Sequence, residues 1–300
     1  MAEPRNIAVI GLGIMGSAIA RNLIAAGFSV SGFDVDRGRM ALLSRDGGRP
    51  SGSAAEAARG AAIALTSLPS VAALESTVRN LIAEPQPGLI VIEVSTFPLG
   101  AKEAARDRLA SAGMTLLDCP LSGTGAQAVT KDLAVYASGD EAAFGRCREV
   151  FAGFARITHY LGAFGNGSRM KFVANLLVAV HNVAAAEAMV LGTKAGLDPQ
   201  RILEVIGSGA GTSRIFELRG PMMAKGVYTP PTATMHVLQK DSGIIAEFAR
   251  SLGVSTPMLA AAAPLYDEAE KAGYAEEDVG AVHAVLARRA GLKQNAPKGS

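Results

Sequence analysis

The chain has 300 residues, of which 49% are hydrophobic, and a formal net charge of +2 at neutral pH. This length accommodates one large domain or two ordinary domains with real cores. The near balance of charge argues against a role in binding nucleic acid or a membrane surface. Two cysteines are too few for a disulfide framework or a structural zinc site, so a reducing, cytoplasmic setting is expected.

The first half of the chain alternates short β-rich runs with helical stretches, which is typical of a parallel sheet covered by helices. Strands are predicted over residues 6–10, 29–33, 62–66, 89–93, 115–118 and 133–137. Helices are predicted between them over residues 15–26, 37–44, 71–82, 99–110 and 141–151.

The pattern changes at a glycine-rich joint near residues 161–168, after which the strand signals largely stop. A long helix is predicted over residues 168–195, and the polar residues in its apolar stretch favour a buried helix over a membrane span. We therefore predict three parts: a dinucleotide-binding domain over residues 1–164, an all-helical substrate and oligomerisation domain over 165–293, and a disordered tail over 294–300.

A glycine motif, Gly11-Leu12-Gly13-Ile14-Met15-Gly16, follows the first predicted strand and opens the first helix. Glycines there allow a tight turn, close approach of the backbone to a pyrophosphate and close helix–strand packing, while the helix start attracts the phosphate charge. Asp34 ends the second predicted strand, where a carboxylate accepts the ribose hydroxyls of adenosine. Because a carboxylate repels a 2′-phosphate, NAD is the predicted cofactor; Arg37 and Arg39 nearby keep NADP as the alternative.

A second motif, GNGSRMKFVAN over residues 165–175, opens the long helix. Lys171 and Asn175 are four residues apart and share a helix face, to which Asn182 returns. Such polar groups need partners when buried, and a substrate cleft would supply them. The alternative is a helix end at which Lys171 extends to water and neighbouring groups satisfy the asparagines. Oxidation of a secondary alcohol needs a group that takes the hydroxyl proton, which a lysine does once burial or a neighbouring charge disfavours its ammonium form.

Several blocks, in this order along nearly the whole chain, resemble the β-hydroxyacid dehydrogenase family. They are the glycine motif, Leu68-Pro69 with Ser95-Thr96, Asp118-Cys119-Pro120-Leu121-Ser122-Gly123-Thr124, the 165–175 motif and Lys240-Asp241. The resemblance implies a Rossmann-type doubly wound, mostly parallel sheet followed by an all-helical C-terminal domain, with the active site in the cleft. It also implies a homodimer or homotetramer.

The resemblance further assigns roles to single residues. Lys171 is implied as the catalytic acid/base, with Asn175 as its orienting neighbour. The residues implied to bind the substrate carboxylate are Ser122, Gly123 and Thr124. The implied cofactor contacts are the glycine motif, Asp34, Leu68, Pro69, Thr96 and Lys240. Of these, Thr96 and Lys240 are implied to contact the nicotinamide end. The implied reaction is NAD(P)-dependent hydride transfer to or from a small hydroxy acid such as 3-hydroxyisobutyrate, tartronate semialdehyde or threonate.

Two departures from the family pattern leave the substrate open. Thr124 stands where the family commonly has a second glycine, and Cys119 where an alanine is common. Ser122 and Thr124 together favour a polar, hydroxylated acid. Two other functions remain as alternatives: an imine-reducing relative on the same scaffold, and a non-catalytic dinucleotide-binding module. Both would be expected to lack the lysine at position 171. No metal site is predicted, since the four histidines have no ligand spacing.

Overall fold

A computed structural model describes residues 6–292 of the chain, so the predicted tail over 294–300 lies outside the described residues. The chain forms two compact units, which divide between Lys171 and Phe172. Each unit has hydrophobic side chains packed into a core of its own.

The first unit is built on a sheet of parallel strands. They are β1 (Asn6–Ile10), β2 (Ser29–Phe33), β3 (Arg49–Pro50), β4 (Ile63–Thr66), β5 (Ile90–Glu93) and β6 (Thr115–Asp118). Their spatial order is β3-β2-β1-β4-β5-β6, which is the order of a doubly wound dinucleotide-binding sheet. Ile7 and Val9 of β1 pack into one core while Ala8 and Ile10 pack into another. Both faces are therefore covered, which explains why the strands read as continuous apolar runs.

Helices of the first unit connect these strands. They are α1 (Ile14–Ala25), α2 (Arg37–Arg45), α3 (Ala54–Ala58), α4 (Val71–Ala83), α5 (Leu99–Ala110), α6 (Gly125–Val129), α7 (Glu141–Arg146) and α8 (Arg148–Phe154). Several begin at a side chain that accepts a backbone N–H of the first turn, as Asp36 does for α2, Ser53 for α3 and Ser70 for α4. Such local caps satisfy donors that a helix start otherwise leaves unpaired.

A smaller second sheet follows the main one along the chain. It consists of β7 (Leu121–Ser122), β8 (Ala134–Ala137) and β9 (Ile157–Tyr160), with β7 antiparallel and β9 parallel to β8. The strand predicted over 133–137 exists, but it belongs to this sheet and not to the main one. The helix predicted over 141–151 is two helices that meet at Cys147. β9 alternates exposed and half-buried residues, so its apolar signal is too weak to predict from sequence.

The second unit is helical. Its elements are α9 (Asn166–Lys194), which begins in the first unit, then α10 (Pro199–Gly207), α11 (Arg214–Lys225), α12 (Met235–Ser251), α13 (Pro257–Ala269) and α14 (Val282–Arg289). A π-helical turn, Glu270–Tyr274, and a 3₁₀ turn, Val279–Ala281, lie between the last two helices. The all-helical second half that the sequence predicted is thus observed.

Among the described residues, α9 is the one helix long and apolar enough to cross a membrane by length and composition. The central helix of a globular core passes the same test. Phe172, Ala179, Ala186 and Met189 of α9 all pack into the core of the second unit. We therefore interpret α9 as a core helix, as the sequence predicted.

Candidate active site

The glycine loop joins β1 to α1, at the position in the sheet where the strand order reverses. Gly11 has a φ of +87°, and a Cβ there would lie 2.1 Å from the carbonyl oxygen of Ser67. A Cβ on Gly16 would lie 1.9 Å from the carbonyl oxygen of Gly11, so only glycine lets α1 pack on the turn. At Gly13, by contrast, the nearest atom to a Cβ would be Nη1 of Arg39, 3.9 Å away. No side chain caps α1, so its N-terminus and this open space fit a pyrophosphate.

Asp34 directly follows β2, beside this loop, and its carboxylate is buried. The backbone N–H of Leu12 donates to Oδ2 at 2.7 Å, and that of Asp36 donates to Oδ1 at 2.9 Å. Arg39 places Nη1 at 3.4 Å from Oδ2. Asp34 is therefore held against the loop in the position where the ribose contact is predicted.

Two further predicted segments follow β4 and β5, the next strands along the sheet. The backbone N–H of Leu68 donates to Oγ of Ser95 at 2.8 Å, and the N–H of Ser95 donates to Oε1 of Glu93 at 2.9 Å. Pro69 is exposed and Thr96 is half-buried. Because β1, β4 and β5 are parallel, these segments share the carboxyl edge of the sheet with the glycine loop. The structure thus brings the predicted cofactor residues of the first unit to one edge.

The predicted carboxylate-binding residues form the turn from β7 into α6. Gly123 has a φ of +136°, and a Cβ there would lie 2.6 Å from Cδ2 of Leu133, so the turn requires glycine. Thr124 and Gln127 cap α6 reciprocally: Oγ1 of Thr124 accepts the N–H of Gln127 at 3.4 Å, and Oε1 of Gln127 accepts the N–H of Thr124 at 3.0 Å. The backbone donor of Thr124 is therefore used, while its hydroxyl keeps a proton to donate. Ser122 precedes the turn and is half-buried.

The start of α9 is held against the ends of β6 and β8. Ser168 donates twice to the carboxylate of Asp118, from its backbone N–H to Oδ2 at 2.7 Å and from its hydroxyl to Oδ1 at 2.8 Å. The N–H of Gly167 donates to Oγ of Ser138 at 2.9 Å. A Cβ on Gly167 would lie 2.2 Å from a carbonyl oxygen of β8, so glycine is required here too. Lys171 follows Ser168 by one helical turn and is half-buried.

Asp118 also belongs to a buried charged cluster that was not predicted from the sequence. Nζ of Lys102, on α5, lies 2.8 Å from Oδ1 of Asp118 and 2.6 Å from Oε2 of Glu93, and all three side chains are fully buried. Glu93 and Asp118 are register partners at the ends of β5 and β6. Burial alone would lower the pKa of Lys102, but the charges of Glu93 and Asp118 outweigh it and raise that pKa above its ordinary value. We call this group the Glu93–Lys102–Asp118 cluster.

In the second unit, Asn175 and Lys240 meet at a common partner. Nδ2 of Asn175 donates to Oδ2 of Asp241 at 2.7 Å, and Nζ of Lys240 lies 3.3 Å from Oδ1 of the same carboxylate. Asn175 and Asp241 are buried. Because Asp241 engages the amide nitrogen of Asn175, the amide oxygen is the acceptor that Asn175 presents elsewhere. Asn175 follows Lys171 by one turn of α9.

Asn182 does not belong to this site. It is fully buried, and its Nδ2 donates to the hydroxyl of Tyr266 at 3.1 Å and to the carbonyl oxygen of Val279 at 2.8 Å. The prediction that Asn182 continues the polar stripe of Lys171 toward a substrate is therefore wrong. Core polar groups of the second unit supply its partners instead.

Two buried thiols, Cys119 and Cys147, also lie in the first unit. Burial raises the pKa of both, that of Cys147 to about 12, so both stay protonated at neutral pH. Within residues 6–292, no three His, Cys, Asp or Glu side chains come together as they would to hold a metal ion.

Taken together, the strand order, the glycine loop and Asp34 define a Rossmann-type dinucleotide-binding protein. The lysine-bearing α9 adds a group suited to proton transfer.

Comparison with known proteins identifies the family. The NAD-binding domain of 6-phosphogluconate dehydrogenase matches residues 6–162, and the NAD-binding domain of NADP-dependent 3-hydroxyisobutyrate dehydrogenase matches residues 165–286. L-Threonate dehydrogenase of Cupriavidus necator is 38% identical over 93% of this chain and 95% of its own. NAD-dependent L-serine dehydrogenase of Pseudomonas aeruginosa is 32% identical over 93% and 96%. A solved 3-hydroxyisobutyrate dehydrogenase of Salmonella typhimurium is 31% identical, with a TM-score of 0.83 over 93% of this chain and 99% of that one.

The chain belongs to the β-hydroxyacid dehydrogenase family. It is an NAD(P)-dependent oxidoreductase of the hydroxy-acid dehydrogenase class. The predicted family, fold class, enzyme class and type of cofactor are thereby confirmed.

Proposed function

We propose that this chain oxidises a small, polar hydroxy acid with NAD and that Lys171 is its general acid/base. The observation that carries the proposal is the position of Lys171 on α9. It lies one turn after Ser168, which Asp118 fixes, and one turn before Asn175, which Asp241 fixes. The named relatives, which act on L-threonate and L-serine, support a polar hydroxy acid as substrate.

The cofactor residues divide between the two ends of the dinucleotide. The glycine loop would hold the pyrophosphate at the start of α1, and Asp34 would accept the adenosine ribose hydroxyls. Leu68, Pro69, Thr96 and Lys240 would contact the cofactor, Thr96 and Lys240 at its nicotinamide end. The oxidised nicotinamide, when bound, supplies the hydride acceptor. The carboxylate of Asp34 disfavours a 2′-phosphate, which supports NAD over NADP.

The chain's own residues would hold the substrate and move its proton. The hydroxyls of Ser122 and Thr124 donate to the substrate carboxylate, in a turn that Gly123 makes close enough for this contact. Neutral Nζ of Lys171 takes the hydroxyl proton as the substrate carbon gives up its hydride, so the alcohol becomes a carbonyl and the amine an ammonium. Oδ1 of Asn175 accepts a hydrogen bond from that ammonium. In the reverse direction the ammonium returns the proton to the carbonyl oxygen.

The substrate preference follows from the turn at residues 122–124. Thr124 supplies a hydroxyl where the family commonly has a glycine, and this hydroxyl keeps a donor proton after capping α6. Serine, threonate and glycerate carry a further polar group that such a donor can meet, whereas 3-hydroxyisobutyrate carries a methyl group. A clear preference for 3-hydroxyisobutyrate would contradict this part of the proposal.

The proposal extends to domain roles, assembly and location. Residues 1–164 form the cofactor domain and residues 165–293 the substrate and oligomerisation domain of a cytoplasmic homodimer or homotetramer. Exposed apolar side chains of the second unit, among them Leu191, Leu197 and Met258, support contact with another copy. The two buried, unoxidised cysteines support a reducing compartment. Light scattering that gives the mass of a single chain would contradict the assembly.

The test follows reduction of NAD and of NADP by their absorbance, against a panel of threonate, serine, glycerate and 3-hydroxyisobutyrate. Lys171→Ala should lower kcat by about 10³-fold or more, because general acid–base catalysis contributes up to about 10⁴-fold. Binding of NAD, measured by calorimetry, should remain within about twofold since Lys171 is not a predicted cofactor contact. Arg169→Ala is the matched control, because Arg169 is an exposed cation two residues earlier on the same helix.

The outcomes separate the competing functions. Turnover by the wild type and by Arg169→Ala, but not by Lys171→Ala, supports the dehydrogenase with Lys171 as its acid/base. Near-normal turnover by Lys171→Ala would rule out that role. Binding of NAD without turnover on any hydroxy acid would instead support the non-catalytic module.

A further inference from the structure

We propose that the Glu93–Lys102–Asp118 cluster positions Lys171 by fixing the first turn of α9 to the strand ends that carry the cofactor segments. The inference rests on the proposed function, because it takes Lys171 as the proton-transfer group. Lys102, Glu93 and Asp118 are positioning residues in this account, since none of them is itself placed against the reacting atoms.

Hydrogen bonds and ion pairs form an unbroken chain within the first unit. From the cofactor side, Leu68 donates to Ser95 at 2.8 Å and Ser95 donates to Glu93 at 2.9 Å. Lys102 then links the Glu93 carboxylate at 2.6 Å to the Asp118 carboxylate at 2.8 Å. Asp118 finally accepts both donors of Ser168. Each contact from the Leu68 segment to the helix of Lys171 is therefore direct and 2.9 Å or shorter.

The two hydrogen bonds from Ser168 to Asp118 fix both the rotation of the first turn of α9 and its position along the helix axis. A single capping bond would let the turn pivot about it, but Ser168 uses its backbone N–H on one carboxylate oxygen and its hydroxyl on the other. Ser138 adds a second anchor through the N–H of Gly167 and a 3.2 Å bond to Oδ2 of Asp118. A carboxylate at a helix N-terminus is also favoured by the helix dipole. Because Lys171 follows Ser168 by three residues, any rotation of this turn moves its amine.

The chemistry of the cluster favours positioning over stability as its role. Elsewhere in this unit a serine before the helix suffices as a cap, as Ser53 does for α3 and Ser70 for α4. The start of α9 instead uses three fully buried charged side chains, and apolar residues of similar volume often stabilise a fold as well as such charges do. Charged groups add directional contacts. Short hydrogen bonds and ion pairs between fixed atoms, in a medium of low polarity, specify a geometry that apolar contacts do not.

The test removes one bond and leaves the cluster in place. Ser168→Ala deletes the hydroxyl bond to Oδ1 of Asp118 while its backbone bond to Oδ2 remains. We expect kcat to fall about tenfold, because a displaced catalytic group loses rate steeply. The pH dependence of kcat should shift as well, since the surroundings of the Lys171 amine change. Binding of NAD, measured by calorimetry, should stay within about twofold because the glycine loop is untouched.

Ser53→Ala is the matched control, since it also removes one serine hydroxyl from the start of a helix in the same unit. It should lower the melting temperature by no more than Ser168→Ala does, because its bond is exposed, and it should keep the kcat and pH profile of the wild type. If Ser168→Ala shows the kcat and pH profile of Ser53→Ala, the positioning role is refuted. The proposed function fails separately, through a silent wild type or an active Lys171→Ala. An active wild type, a dead Lys171→Ala and an unaffected Ser168→Ala would overturn the positioning role alone.

Discussion

The starts of α1 and α9 solve the same packing problem in different ways. In both, a glycine lets the helix pack directly on backbone at or just after a strand. A Cβ on Gly16 would lie 1.9 Å from the carbonyl oxygen of Gly11, and one on Gly167 would lie 2.2 Å from a carbonyl oxygen of β8. At α1 the fixing contact is local, because Asp34 binds the N–H of Leu12, 22 residues away. At α9 it comes from Asp118, 50 residues before Ser168, which is itself held by a buried lysine. Backbone shape within one motif positions the first helix, and charges from two strands and helix α5 position the second.

The largest expected effect comes from removing the charge at the centre of the second arrangement. Lys102→Met keeps most of the side-chain volume but leaves the Glu93 and Asp118 carboxylates side by side and unneutralised. We expect the free energy of unfolding to fall by about 3–5 kcal/mol, as it does when one partner of a buried ion pair is removed. Denaturant unfolding measures the loss. Lys225→Met, at an exposed position ending α11, should cost no more than about 0.5 kcal/mol.

A small loss for Lys102→Met, comparable to that of Lys225→Met, would contradict the role of buried charge at the start of α9. It would mean that the apolar surroundings, and not the charges, hold the ends of β5 and β6 to α9. Restoration of the lost stability by adding Glu93→Gln to Lys102→Met would support that role, because it would trace the cost to the unneutralised carboxylates.

The same contrast explains what the sequence predicted and what it did not. The glycine loop and Asp34 form a motif within residues 11–34, so their spacing alone indicates both their geometry and their ligand. Lys171 and Asn175 are also recognisable, since residues four apart share a helix face. The contacts that fix them are not, because Asp118 and Asp241 meet those residues only after the chain has folded.

A sequence signal for the cluster does exist, in hindsight. The apolar runs of β5 and β6 each end in an acidic residue, Glu93 and Asp118, and parallel strands bring such ends together. On α5 between them, Lys102 lies on the buried face with Ala105 and Leu109. A lone lysine at a core position between two acid-terminated strands indicates a buried ion pair. Asn182 shows the limit of the same reasoning: its helical spacing matched that of Asn175, but its partners were core groups from distant helices.

Substitutions in the glycine loop test the local arrangement next. Gly16→Ala should cost about 1–3 kcal/mol of unfolding free energy, because its methyl group would overlap the carbonyl oxygen of Gly11. Gly13→Ala should leave stability within about 0.5 kcal/mol, because the space before Gly13 is open and its φ of −64° suits alanine. The same methyl group occupies the predicted phosphate approach, so NAD affinity should fall about tenfold. Calorimetric titration with NAD, alongside thermal unfolding, separates the two effects; full NAD affinity in Gly13→Ala would place the phosphates elsewhere.

The smallest expected effect concerns Arg39, which belongs to the local arrangement yet acts through charge. Its guanidinium lies 3.4 Å from Asp34 and 3.6 Å from Asp36, and it is the atom group nearest to the open space at Gly13. A cation there offsets the repulsion between Asp34 and a 2′-phosphate, and a hydrogen bond to a charged group contributes about 1.5–3 kcal/mol. Arg39→Met should therefore lower kcat/KM for NADP about tenfold while changing that for NAD less than about threefold.

Arg37→Met is the control for this last effect, since Arg37 is an exposed arginine at the start of the same helix. If both variants lower NADP use equally, general surface charge is responsible, and the contact of Arg39 with Asp34 carries no special role. If neither does, Asp34 alone sets the preference for NAD. A loss confined to Arg39→Met would show that the arrangement at α1 also depends on a charge, which Arg39 supplies from five residues after Asp34. The two helix starts would then differ in how far along the chain their partners lie, and not in whether they use charge.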